Sequence, residues 1–151
     1  MQLEDNSLLK TQAHINGQWL DADSGETLAV TNPATGVTIA EVAKCGTAET
    51  RRMIEAAAVA QKQWAKSTIK ERAAVLRRWF DLVLENHEDL AQILTAEQGK
   101  PLAEARGEVA YGASYIEWFS EESKRVYGDT IPQPSNDKRI VVIKQPVGVV
   151  A

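Results

Sequence analysis

Residues 101–128 carry more apolar surface than one helix face can use. Leu102, Val109, Ile116 and Phe119 recur at helical spacing on one side. Tyr111, Tyr115 and Trp118 form a second stripe beside the first. A helix on a small domain needs one apolar stripe, and two adjoining stripes ask for more partner surface than a small α-helical layer offers. Pro101 suits the first position of this helix and Gly128 the residue just past its end.

The rest of the chain divides by periodicity. Residues 13–46 read as strands and turns. Ala13–Leu20 leads into the turn-rich cluster Asp21-Ala22-Asp23-Ser24-Gly25-Glu26, and Leu28–Thr31 resumes an extended pattern. Asn32-Pro33-Ala34-Thr35-Gly36 is a turn, because Asn-Pro disfavours helix and Gly36 supplies positive φ. Val37, Ile39 and Val42 mark a third short strand. Residues 47–128 read as four helices. Thr47 is the expected N-cap of the first, which carries Met53, Ala57, Ala60 and Trp64 on one face. Thr68-Ile69-Lys70-Glu71 fits a capping box for the second, which carries Ile69, Ala73, Leu76, Phe80 and Val83. The third begins after Asn86 and stops at Gly99. Residues 129–137 read as a linker. Residues 138–151 read as one long strand rich in β-branched residues, which runs to Val147-Gly148-Val149-Val150-Ala151 without a polar closing residue. Chain ends are usually exposed and loosely held, so this run is expected to belong to a core strand that continues further.

Composition narrows the function classes. At 151 residues the chain has the length of one domain. A net charge of −4 gives no field that favours nucleic acid, and Arg51-Arg52 and Arg77-Arg78 are short and balanced by acids. There is no apolar run long enough to span a membrane. The acidic start Met1-Gln2-Leu3-Glu4-Asp5-Asn6 lacks the features of a signal or transit peptide, so a cytoplasmic location is expected. One cysteine excludes an intramolecular disulfide, and two histidines, His14 and His87, argue against a His-rich metal site.

Each candidate for chemistry reads better as structure. Cys45, between Lys44 and Gly46, precedes the first helix, but the sequence places no base beside it, and it reads as a small residue at a strand end. Gly107-Glu108-Val109-Ala110-Tyr111-Gly112-Ala113-Ser114 echoes a phosphate loop, yet Ala113 stands where the lysine would be and no strand precedes it. Each glycine there costs about 1 kcal/mol against alanine in a helix, which suggests close helix packing. In Asp21–Glu26 the glycine is misplaced for a calcium loop, and Asn32 stands where the last ligand belongs. Glu104, Glu108, Glu117, Glu121 and Glu122 alternate with Lys100, Arg106, Lys124 and Arg125, as on a solvated face. His87 reads as a solvated helix-start residue. No G-x-G-x-x-G fingerprint is present. The residues alone therefore assign no catalytic, cofactor-binding or metal-binding position.

The ordered set Ile15-Asn16-Gly17-Gln18-Trp19, Thr31-Asn32-Pro33-Ala34-Thr35-Gly36, Glu97-Gln98-Gly99-Lys100-Pro101, Tyr127-Gly128-Asp129-Thr130-Ile131-Pro132 and Gln145-Pro146-Val147-Gly148-Val149 resembles the aldehyde dehydrogenases. Trp118–Glu122 and Lys138–Pro146 are similar to the bacterial succinate-semialdehyde branch. The resemblance spans residues 8–151. It implies an α/β parent fold that oxidises a small aldehyde with NAD or NADP through a cysteine thiohemiacetal, an asparagine-lined oxyanion site and a glutamate that activates water, in a homo-oligomer. None of those catalytic residues has a matching position in this sequence. Cys45 matches an N-terminal strand region and not the nucleophile. The resemblance also implies an organisation: residues 1–46 as N-terminal strands, 47–128 as helices of the cofactor-binding domain, 129–146 as linker and oligomerisation-arm strand, and 147–151 as the start of the first dinucleotide-binding strand. Tyr111, Tyr115 and Trp118 then either border the aldehyde tunnel or pack into a core. In some members, main-chain carbonyls matching Val30, Thr31 and Glu97 hold a monovalent cation. The chain alone is expected to be inactive and to bind neither cofactor well. The alternative is a non-catalytic module acting through its helices or its apolar strand.

Overall fold

The structure is a computed structural model that describes residues 1–150. Ala151, the last residue of the apolar run, lies outside the described residues. The chain forms β1 (Ala13–Ile15), β2 (Gln18–Leu20), β3 (Thr27–Thr31), β4 (Thr38–Ala43), α1 (Thr47–Trp64), α2 (Ile69–Glu85), α3 (His87–Gln98), α4 (Leu102–Glu122), β5 (Asp129–Ile131) and β6 (Ile140–Val142). The strands pair as three separate antiparallel hairpins, β1 with β2, β3 with β4 and β5 with β6.

Local chemistry explains each join. β1 and β2 turn at Asn16-Gly17, both at positive φ (51° and 80°), the mirror-image turn that matches strand twist. The β3–β4 turn is built as its sequence requires: the Asn32 side-chain carbonyl accepts the Ala34 N–H at 2.9 Å, and Gly36 sits at φ 74°. α2 begins with a reciprocal cap, Thr68 Oγ1 accepting the Glu71 N–H and Glu71 Oε2 accepting the Thr68 N–H at 2.7 Å. α3 ends on left-handed Gly99 at φ 81°.

Several boundaries differ from the sequence reading. Gly46, not Thr47, caps α1, and its N–H donates to Glu49 Oε2 at 2.9 Å. Pro101 is the N-cap of α4 rather than its first helical residue; its carbonyl accepts the Glu104 and Ala105 N–H groups. Gly128 does not cap α4, which ends at Glu122 and passes through a 3-10 turn at Ser123–Arg125. The glycine is required there by close approach, because a Cβ would overlap the Val142 carbonyl of β6. The expected linker contains β5, and the expected long strand is regular only over Ile140–Val142. Val141 and Ile143 are 68% exposed, and among the described residues β6 pairs with β5 alone.

The helices pack through small residues. α4 lies against α2 and α3 through Ala105, Ala113 and Ser120, all buried, and Ser120 Oγ donates to the Ala73 carbonyl of α2 at 3.0 Å. Gly107 and Gly112 do not supply this close packing, since a Cβ at either would meet nothing within 4 Å. The α1 face expected to be buried stays largely open, with Met53 and Trp64 exposed. A compact monomer of this mass exposes about 7,600 Å²; this chain exposes 11,088 Å². No helix among the described residues is long and apolar enough to cross a membrane.

Candidate functional site

The second stripe of α4 faces an open cleft. Tyr111, Tyr115, Trp118 and Phe119 are each more than half exposed, although aromatic side chains of this size ordinarily seek cover. With Ser114 they line an open cleft of about 820 Å³. The Tyr111 and Tyr115 rings meet edge to face with centroids 5.0 Å apart, and their hydroxyls are 2.6 Å apart. That hydrogen bond, followed by desolvation, raises the Tyr115 phenol above its ordinary value. Ser114 Oγ is already used, donating to the Tyr111 carbonyl.

The carboxylates around this cleft do not form an acid–base pair. Glu117 pairs with Arg77 at 3.3 Å, Glu121 with Lys124 at 3.2 Å and Glu122 with Arg125 at 2.8 Å. Glu108 pairs with Lys100. The cleft is therefore apolar with a neutralised rim, suited to packing or to passage of a small molecule rather than to proton transfer.

Other candidate residues are committed elsewhere. Cys45 is half-buried between β4 and α1. His14 packs against Trp19 in the first hairpin, and His87 Nε2 lies 2.8 Å from the Arg106 carbonyl, so neither serves Cys45 as a base. The Asp21–Glu26 loop does not converge on an ion site: Asp23 grips Arg52 through two 2.7 Å bonds, and Asp21 accepts from Gln12. No group of three or more His, Cys, Asp or Glu among the described residues could hold a metal.

Neither of two segments that could suggest a phosphate-binding turn is shaped as one. Gly107–Ser114 lies inside α4 and cannot cradle phosphate. The strand-to-helix step at Lys44-Cys45-Gly46 has the right order, but its helix N-terminus is taken by Glu49. That buried carboxylate accepts the Asp23 N–H at 2.8 Å and the Gly46 N–H at 2.9 Å, and these bonds, the Asp23 N–H foremost, hold its pKa below the ordinary value. An anion already fills the position where phosphate would sit.

Two motifs far apart in sequence meet in space. The Pro33 ring of the β3–β4 turn lies against Gly99, close enough that a Cβ there would come within 2.7 Å of Pro33 Cγ. Thr31–Gly36 and Glu97–Pro101, two of the segments that carry the family resemblance, thus form one junction.

The family model "Aldehyde dehydrogenase family" matches residues 19–151. The chain belongs to the aldehyde dehydrogenase family. It is 64% identical over 151 residues to a glutarate-semialdehyde dehydrogenase of Pseudomonas putida, covering all of this chain and 32% of that protein. It is 57% identical, again over 151 residues, to the NADP(+) succinate-semialdehyde dehydrogenase of Escherichia coli, covering 31% of it. The crystal structure of a succinate-semialdehyde dehydrogenase from Burkholderia pseudomallei superposes with a TM-score of 0.94 at 61% identity, covering 97% of this chain and 30% of that one. The chain thus spans about a third of the length of the curated relatives it matches. Its four helices and small sheets are part of an α/β aldehyde dehydrogenase fold.

Sequence reasoning missed two buried carboxylates, Glu49 and Asp89. Both occupy the third helical position, in α1 and α3, and each reaches out to bind loop N–H groups. A first-turn acid was the available signal; its burial was not visible in the sequence.

Proposed function

We propose that this chain is the N-terminal part of an NAD(P)-dependent dehydrogenase that oxidises succinate semialdehyde, or a similar small semialdehyde such as glutarate semialdehyde, to the acid. The observation that carries this reading is the similarity along the whole chain to semialdehyde dehydrogenases. The nucleophile that forms the thiohemiacetal is a cysteine other than Cys45, and the chain by itself binds neither NAD nor NADP well and does not turn over. Residues 1–46 serve as N-terminal strands, 47–128 as helices of the cofactor-binding domain, 129–146 as linker and arm strand, and 147–151 as the beginning of a dinucleotide-binding strand. The parent works in the cytoplasm as a homo-oligomer. Further parts of the protein cover the aromatic face of α4, leaving Tyr111, Tyr115 and Trp118 to pack against them or to border the aldehyde's path.

The test compares two proteins: the purified 151-residue chain and a longer protein that contains it. Each is mixed with succinate or glutarate semialdehyde and NAD or NADP, and reduced nicotinamide is followed by absorbance. The longer protein is expected to turn over and the chain alone to be silent. Turnover by the chain alone would overturn its inactivity; a longer protein inert towards both semialdehydes would overturn the substrate.

A second reading, a non-catalytic interaction module, draws on the large exposed surface and the open edge of β6. Size-exclusion chromatography separates the two: a defined oligomer of the chain supports a module, and heterogeneous aggregate supports a part removed from its partners.

A further inference from the structure

The first nine residues cross from the strand region to the helices without pairing as a strand. At one end the path is anchored to the body: the Thr11 carbonyl accepts the Ala43 N–H of β4 at 2.8 Å, and the Lys10 ammonium lies 5.1 Å from the centre of the Trp19 ring. At the other end it is held by α3. The Glu4 N–H donates to one oxygen of Asp89 at 3.0 Å, and the Asp5 N–H donates to the other at 2.8 Å. The Gln2 N–H reaches Gln92 Oε1 at 3.0 Å. Asp89 is 4% exposed, so the accepting side chain is shielded while the donating segment lies at the surface. Between the ends, Asp5 caps the short 3-10 turn Asn6–Leu8. Leu3, Leu8 and Leu9 are only half-covered.

We infer that residues 1–9 form a releasable strap, hinged at Lys10-Thr11 and fastened by the Asp89 carboxylate, that ties the N-terminal hairpins to the helical layer. The two adjacent backbone donors are each met by a separate oxygen of one ionised side chain, and hydrogen bonds to a charged acceptor are stronger than those to a neutral one. The strap makes no strand pairing and buries no residue fully, so it opens as a local unit at less cost than the helices. Its function is mechanical: closed, it couples the position of β1–β4 to α3; open, it frees the Lys10-Thr11 bond and the Asp89 end of α3.

The test uses the 151-residue chain, with amide hydrogen exchange on residues 2–9 and timed trypsin digestion read at Lys10. Asp89→Asn leaves one acceptor and turns an N–H₂ group towards the other backbone donor. It is expected to speed exchange at Glu4 and Asp5 at least tenfold and to speed cleavage after Lys10 by a similar factor, while amides of α2 and α4 exchange at their original rates. Gln92→Ala, which removes only the outer contact, is expected to change either rate less than threefold. An unchanged strap in Asp89→Asn overturns the inference. So does loss of protection that reaches α2 and α4 in parallel, because the segment would then be an integral part of the fold.

Discussion

Gly99→Ala probes the junction of the two family motifs. Gly99 sits at φ 81°, where a side chain costs about 1–2 kcal/mol. Its new Cβ would also lie 2.7 Å from Pro33 Cγ, whereas the other Pro33 atoms near it, at 3.7 and 3.8 Å, are ordinary contacts. Only a ring pucker must give way, so the overlap belongs at the low end of overpacking costs, about 1 kcal/mol. Reduced freedom of the unfolded chain returns about 0.4–1 kcal/mol. The net expectation is a loss of about 1–3 kcal/mol, measured as a shift in the urea midpoint with unchanged slope. The decisive measurement is a double-mutant cycle with Pro33→Ala. Removing the ring relieves the overlap but not the backbone strain, so the double mutant should recover about 1 kcal/mol relative to additivity. A zero coupling energy would show that Pro33 and Gly99 do not touch. A Gly99→Ala chain within about 0.3 kcal/mol of the parent would refute both the left-handed cap and the contact.

Further expectations rest on single observations. Gly112→Ala, into open space on a helix, should stabilise by about 0.5–1 kcal/mol, whereas Ala113→Leu next to it, at 1% exposure against the other helices, should destabilise by about 1–3 kcal/mol; thermal melts of the two variants should move in opposite directions. Stability should fall in acid. Asp23, Glu49, Glu71 and Glu88 all have folded-state pKa values below their ordinary ones, so their contribution is complete above the ordinary carboxylate range and is lost as pH drops through the lowered values. Glu49→Gln should flatten that acid limb, and an unchanged limb would remove Glu49 from the account. Trp118→Ala, at a side chain 62% exposed, should change the unfolding free energy by less than about 0.5 kcal/mol while reducing binding of an apolar dye.

What the sequence revealed depended on how local the determinant was. The Thr68–Glu71 box, the Asn32-Pro33 turn and the Gly99 stop are written in three to five adjacent residues, and the structure contains each one. Gly128 failed as a local signal because its reason is distant: the Val142 carbonyl, fourteen residues on, presses against it. Residues 138–151 read as one long strand from composition, but strand length depends on neighbours, and among the described residues β5 alone pairs with its regular part, Ile140–Val142. The two glycines of α4 looked like contact points; the contacts pass instead through Ala105, Ala113 and Ser120, whose register against α2 and α3 is a tertiary property. The site was legible in one respect. The extra aromatic stripe announced a face of α4 that its own neighbours do not cover, and the stripe is exposed, whereas the purpose of any covering partner comes only from the family.

The same packing sets how stable the chain can be alone. Apart from Ile15, the buried apolar residues among those described are Ala22, Ala73, Ala91, Ala96, Ala105 and Ala113. Alanine lets helices approach closely but removes little apolar area from water, and that area is the main favourable term in folding. The large side chains that could supply it, among them Ile54, Val59, Trp79, Trp118 and Phe119, are more than half exposed. Ordinary domains are stable by about 5–15 kcal/mol. This chain should lie at or below the lower end of that range, with a shallow urea dependence, since the slope follows the surface newly exposed on unfolding. If further parts of the protein cover α4 as proposed, a longer protein that contains this segment should show a higher midpoint and a steeper slope, as read by tryptophan fluorescence from Trp118. If the isolated chain unfolded cooperatively with more than about 8 kcal/mol, well inside the ordinary range, its small-residue core would be sufficient by itself, and the argument that its exposed faces are unfinished interfaces would fail.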